Sequence, residues 1–279
     1  MTIVDTHAHL YHADERLYPM CENPYRPPQG TGDIGHLRQN MAESGVNRVV
    51  LVQTFSAYRW DNRLVADVAD ANRQDMVGVI NLSSGAPDSP AEWERLATHY
   101  NVRGLRLEPT QIDGQSCYNH PGAVKLFETA RRLGLVLCAH IGVDWVGALA
   151  QLLQQFPEVP VVLDHTAYLS AADAGSEKLN TICALSAYRN VNAKLSFGVT
   201  GSQDPAYPFR DVHPVIRTVI DAFGPDHCMW GSDFPCELWL QKATYVEHLS
   251  LFMEALNLSE GEKTAILGET PMRVWFPNG

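Results

Sequence analysis

Eight short apolar runs, each followed by a polar break and then a helical pattern, limit what this chain can fold into more than any other feature. They are Thr2–Asp5, Arg48–Gln53, Met76–Asn81, Val102–Leu107, Leu135–Ala139, Pro160–Asp164, Val191–Ser196 and His227–Gly231. The first interval is long, and the later runs begin 25 to 36 residues apart, the length of a βα unit. The runs are continuously apolar and rich in β-branched residues, as parallel strands covered on both faces require. Eight strands alternating with helices predict an α/β fold, a single (β/α)8 TIM barrel, with residues 1–279 forming one domain. A doubly wound open sheet is the alternative, but no G-x-G-x-x-G follows the first run.

Helix signals fill the intervals. Asp33 is placed to cap a helix bearing Ile34, Leu37 and Met41, with Gly45 as its stop. Ser89-Pro90-Ala91-Glu92 matches a capping box with proline at the first helical position. Val124, Phe127, Ala130 and Leu133 make one apolar stripe ending at Gly134, and Ser259 to Glu262 forms a second capping box. Two segments break the repeat: Tyr11–Gly32 after the first strand and Phe197–Phe209 after the seventh. Barrel active sites are assembled from loops that follow strands, so both are candidate walls or lids.

Composition narrows the function classes. The formal net charge is −11, which leaves no basic face for phosphates and predicts no nucleic-acid partner. An anionic small substrate stays compatible, because a site can carry its own arginine. The longest apolar stretch, about Leu133 to Val143, contains His140 and is far shorter than the roughly 20 residues of a membrane span. The N-terminus lacks a basic region followed by an apolar one, so no signal peptide is expected. Six scattered cysteines without a CxxC pair are expected to be reduced thiols in a cytoplasmic protein. Oligomeric state is not legible, and a homo-oligomer is compatible.

The chemistry lies in where the histidines fall. His7 and His9 end the first run, His140 the fifth and His165 the sixth; Asp233 follows the eighth in Trp-Gly-Ser-Asp-Phe-Pro. These are the catalytic rim of such a barrel. His7 and His9 are two apart, so on an extended chain both point the same way, into the mouth. Imidazoles converging with one carboxylate are the ligand set of a catalytic Zn²⁺-type site that keeps a position for water. Arg106 and Glu108 share side-chain parity on the fourth run, and an unpaired charge on the helix-facing side would be costly. Arg106 therefore belongs in the mouth, either binding a substrate carboxylate through its fork or pairing with Glu108 or an aspartate. Lys194 carries the same two readings. Tyr58, Arg59, Trp60, Trp145, Tyr168 and Trp239 follow strand ends and are candidates to line an apolar pocket, or else packing residues.

The ordered set VDTHAHL, VRGLRLEP, LCAHIG, LDHTA, AKLS, WGSDFP and ILGETPMRVW spans almost the whole chain. It resembles the amidohydrolase superfamily, in its branch of lactonases related to 2-pyrone-4,6-dicarboxylate lactonase. The resemblance implies that His7, His9, His140 and Asp233 hold a metal or polarise a carbonyl. It makes Asp233 the base that takes a proton from water, and it gives His165 an assisting role as acid or base. It implies a hydrolase opening a lactone, a sugar lactone or a muconolactone-like ester; of the strand-end residues above, Arg106, Lys194, Tyr58 and Trp145 are the candidate substrate contacts. The alternatives are a non-oxidative decarboxylase of the same superfamily and a catalytically silent barrel that binds a sugar acid.

Two departures from that family matter. Residues 102–112 contain no lysine, whereas two-metal members use a carboxylated one there. At most one divalent ion is therefore expected, Zn²⁺ before Mn²⁺, with metal-independent catalysis as the alternative. The several arginines that bind a dicarboxylate are also missing, because position 112 is Ile112. This points to a neutral or monoanionic lactone.

Overall fold

A computed structural model describes residues 1–238 and 242–277; Trp239, one of the aromatic candidates, lies outside the described residues. Eight strands occupy the predicted runs. They are β1 (Val4–Ala8), β2 (Arg48–Val52), β3 (Met76–Asn81), β4 (Val102–Leu107), β5 (Val136–Ala139), β6 (Val161–Leu163), β7 (Val191–Lys194) and β8 (Cys228–Met229). All paired neighbours are parallel, in chain order. The ring closes between β1 and the chain beyond β8. There Thr6 N donates to Trp230 O (3.2 Å), Asp233 N to His7 O (2.8 Å) and His9 N to Phe234 O (2.8 Å), beside a parallel bridge from Ala8 to Phe234.

Helices cover the outside where the apolar stripes predicted them. Asp33 caps Ile34–Ser44 by accepting from His36 N, and Gly45 ends that helix with φ 75°. Gly134 closes Pro121–Leu133 in the same left-handed conformation, which glycine adopts without a Cβ penalty. Ser259 and Glu262 form the expected reciprocal box. The box expected at Ser89 does not form. That helix starts behind Asp88, and the Ser89 hydroxyl instead donates to the Ser83 carbonyl (2.6 Å), tying down the loop before it. A short hairpin, Gln111–Ile112 with Gln115–Ser116, follows β4. Its turn is Asp113-Gly114, both at positive φ, as a two-residue hairpin loop demands.

The barrel interior is layered. Val4, Val50, Val52, Val77, Val79, Val136, Cys138, Val162 and Met229 fill the lower part, and Trp275 and Phe276 from the chain's last helix join them. Gly104 on β4 makes this possible, since a Cβ there would lie 2.9 Å from the Trp275 ring. Above this apolar plug the inward positions turn polar: Arg106, Asp164, Lys194 and His7. The pairing of β1 with β2 slips between Asp5 and Ala8. Val4 packs in the interior plug, and beyond the slip His7 also faces inward, its Nδ1 3.1 Å from Lys194 Nζ.

Candidate active site

Asp164 is the hub of the polar layer. It is fully buried and ion-paired to Lys194 (2.7 Å) and Arg106 (2.8 Å), with His7 Nδ1 at 3.8 Å. Arg106 also faces Glu108 at 3.4 Å. Burial works to raise the Asp164 pKa, but Lys194 and Arg106 outweigh it and hold the carboxyl well below the ordinary range. Burial likewise opposes the Arg106 charge, and Glu108 and Asp164 overcome it, so its pKa is raised. The network is closed on itself from four strands, β1, β4, β6 and β7.

Above it stands the histidine–aspartate cluster. His9 Nδ1 donates to the Val52 carbonyl (2.7 Å), so its Nε2 offers a lone pair. The Lys194 ammonium donates to His7 Nδ1, which leaves the His7 Nε2–H to donate to His9 Nε2 (3.2 Å). Burial, with Lys194 and His165 beside it, lowers the His7 pKa far below 6.5, so the ring is neutral. Asp233 Oδ1 lies 3.4 Å from His9 Nε2 and 3.6 Å from His7 Nε2. Burial pushes the Asp233 pKa up, but His165, His9 and Arg106 more than offset it, and the net shift is downward.

Backbone geometry aims these groups. Asp233 takes φ 56° in a turn buttressed by Asp5. The Asp5 carboxylate accepts from Ser232 N (2.8 Å), Ser232 Oγ (2.6 Å) and Tyr245 OH (2.9 Å). Gly231 lets this turn approach β1, because a Cβ there would meet the His7 Cβ at 2.8 Å. His165, Thr166, Ala167 and Tyr168 all have positive φ, a strained run of the kind that clusters at functional sites. It stacks the Tyr168 ring on His165, with centroids 5.1 Å apart. The His165 pKa is pushed down to about 4, chiefly by burial, and its Nδ1 lies 2.9 Å from Ser196 Oγ.

His7, His165 and Asp233 bring donor atoms within 4.8 Å of one another, and His9 Nε2 lies 3.2 Å from His7 Nε2 and 3.4 Å from Asp233 Oδ1. Tetrahedral ligands bonded at about 2.0–2.1 Å sit roughly 3.3 Å apart. The edges of 3.2, 3.4 and 3.6 Å among His7, His9 and Asp233 therefore fit one ion. To bind it, His7 would carry its proton on Nδ1, with Asp164 as acceptor.

His140 was expected in that ligand set but is placed apart from it. Its Nδ1 donates to Glu108 Oε2 (2.6 Å) and its Nε2 meets the Tyr168 hydroxyl. Glu108, shifted downward by Arg106 and His140 against the effect of burial, is ionised. The reason for the difference is local: Glu108 reaches up from β4 and turns the ring. Lys194, expected as a substrate contact, is wholly enclosed beneath the site by Asp164 and His7. Tyr58 is buried, its hydroxyl accepting from His12 N (2.9 Å), and Trp145 packs on Tyr118. None of these three lines the cavity.

That cavity, about 500 Å³, opens over the cluster and is lined by Arg106, Glu108, His9, His140, His165 and Asp233. Both irregular loops supply wall: Tyr11 and Tyr25 from the first, Phe197, Thr200 and Gly201 from the second. Of the aromatic and arginine candidates, Tyr168 and Arg59 line it; Tyr11, Tyr25 and Phe55 are additions that loop folding decided. Asp164 directly precedes His165 in LDHTA, but only the packing of β4 and β7 against it reveals its pairing.

Comparisons with known proteins give the family. An L-fucono-1,5-lactonase from Burkholderia ambifaria is 29% identical over 241 residues, covering 83% of this chain and 80% of its own. A 4-sulfomuconolactone hydrolase from Rhizobium radiobacter is 25% identical over 234 residues, covering 83% and 75%. The crystal structure of a putative 2-pyrone-4,6-dicarboxylic acid hydrolase from Pseudomonas putida superposes with a TM-score of 0.82, at 22% identity, over 100% of this chain and 98% of that one. It shares the barrel. The amidohydrolase family model matches residues 4–276, nearly the whole chain, and the protein belongs to that family.

Proposed function

We propose that the protein is a hydrolase that opens a lactone, a cyclic carboxylic ester of the sugar-lactone or muconolactone kind. The observation that carries this reading is the ionised Asp233 carboxylate held among imidazoles at the floor of a cavity large enough for one small ring. Two relatives covering four-fifths of the chain are named for lactone hydrolysis, which supports the same reaction class.

Asp233 is positioned to take one proton from a water whose oxygen attacks the lactone carbonyl carbon. The bond from that carbon to the ring oxygen then breaks. The proton on Asp233 passes to the departing oxygen, and the product is the open hydroxy acid. Arg106, lining the cavity, stabilises charge developing on the carbonyl oxygen. His165, kept neutral by burial, accepts or relays a proton beside Asp233. His140, oriented by Glu108, presents a lone pair that the Tyr168 hydroxyl now occupies and that a substrate hydroxyl takes in its place. A divalent ion held by His7, His9, His165 and Asp233, Zn²⁺ or Mn²⁺ by its N/O donors, would supply Lewis-acid polarisation and a more acidic water.

Asp233→Asn tests the assignment, because it keeps the shape and removes the base. Turnover of a panel of sugar and muconate-type lactones is expected to fall by about 10²-fold or more, with the melting temperature retained. Metal content, measured by elemental analysis in the same protein, separates loss of the base from loss of a ligand. Wild-type turnover in the folded variant overturns the role.

A further inference from the structure

Two arginines line the cavity, and their surroundings differ. Arg106 is buried and already faces Asp164 and Glu108. Arg59, in the turn after β2, is exposed at the mouth. Among the described residues no carboxylate pairs with it. Its guanidinium instead lies over the Phe55 ring, 5.1 Å from the centroid, a contact that orients the cation without neutralising it. The backbone there takes φ 53°, ψ −118°, held by Arg59 N donating to Phe55 O (3.2 Å). For a non-glycine residue this conformation is strained, and it turns the chain so that Phe55, Ser56 and Arg59 all line the same cavity.

The charge balance makes such a cation useful. The chain carries a net charge of −11, and Asp233 and Glu108 line the cavity. An anion approaching it meets a repulsive field unless the mouth supplies a local positive group. A guanidinium presents a planar fork of donors that matches a carboxylate or sulfonate. We infer that Arg59 is the anion-recognising residue of this site and that the substrate is a lactone bearing a carboxylate or sulfonate outside its ring. The inference rests on the lactone reading and narrows it, separating acid-bearing lactones from neutral sugar lactones.

The test compares three unsaturated five-membered lactones: one with a carboxymethyl group, its sulfonate analogue, and its carboxamide. kcat/KM is measured for each with the wild type, Arg59→Met and Arg59→Lys. The ratio of an acid-bearing lactone to the carboxamide is expected to drop tenfold or more in Arg59→Met, through KM, and to recover in part in Arg59→Lys. A drop for the carboxylate or for the sulfonate identifies the anion; an unchanged ratio for both overturns the inference. Should the wild type hydrolyse none of the three, the lactone reading fails, and calorimetric titration of the carboxymethyl compound still decides the subsite. Tenfold weaker binding to Arg59→Met upholds it. Equal affinity, or no binding to the wild type, sinks it.

Discussion

Arg106 illustrates how one residue answers to both chemistry and stability. A side chain that only gripped substrate would leave the melting temperature untouched when replaced. In the folded protein its guanidinium lies between Asp164 and Glu108, and it is only 4% exposed. Removing it leaves two buried carboxylates short of a counter-charge, a change that costs about 3–5 kcal/mol in comparable pairs. Arg106→Met is therefore expected to lower kcat/KM and also to lower the melting temperature by several degrees, measured by thermal unfolding. A melting temperature unchanged within a degree would show the network to be dispensable. Both readings open at the sequence level, substrate contact and ion pair, apply to the same atoms, because the residue spans the buried layer and the cavity wall.

At the scale of elements, the last helix governs the barrel floor. Thr270–Trp275 ends the chain's helical run, and Trp275 enters the barrel among valines of β2 and β3. Its ring is nearly inaccessible, and Gly104 on β4 exists in the space that ring leaves. Trp275→Ala is expected to cost about 3–5 kcal/mol, the range for emptying a buried aromatic site, read as a shift in the denaturant midpoint. A shift worth under 1 kcal/mol would mean that the plug is not what closes the floor. The turn after β8 is the corresponding device at the other end. Asp5 on β1 accepts three hydrogen bonds from Ser232 and Tyr245, so the strand that bears His7 also sets the turn that bears Asp233.

For the whole molecule, the buried titratable groups set a pH dependence whose sign follows from their shifts. His7, His140, His165 and His248 are all lowered from 6.5, mainly by burial. Unfolding lets them bind protons that the native state refuses, so their contribution is fully present above about pH 6.5 and is lost as pH falls through the folded values. Asp164, Glu108 and Asp233 are lowered from their ordinary values, so theirs is present above about pH 4 and is lost below it. Asp5 runs the other way: burial outweighs its hydrogen bonds and raises its pKa. The balance predicts a melting temperature that is level above pH 7, declines from about 6.5 and steepens below 4. Equal melting temperatures at pH 5 and pH 8 would contradict it. No helix among the described residues is long and apolar enough to cross a membrane, and none of the six cysteines forms a disulfide.

Periodicity and end signals alone determined the order of eight strands and the positions of Asp33, Gly45, Gly134 and Ser259, because a strand's apolar face and a helix's cap are local properties. They also put His7, His9, His165 and Asp233 on one rim, since every βα unit delivers its strand end to the same side. Only the tertiary structure decided which partner each polar side chain takes. Lys194 belongs to Asp164, His140 to Glu108 and Tyr168, and His165 rather than His140 joins the donor cluster. Those choices depend on charges from β1, β4, β6 and β7 meeting at one level. Residues 187 positions apart, such as His7 and Lys194, come within hydrogen-bond reach only when the ring closes.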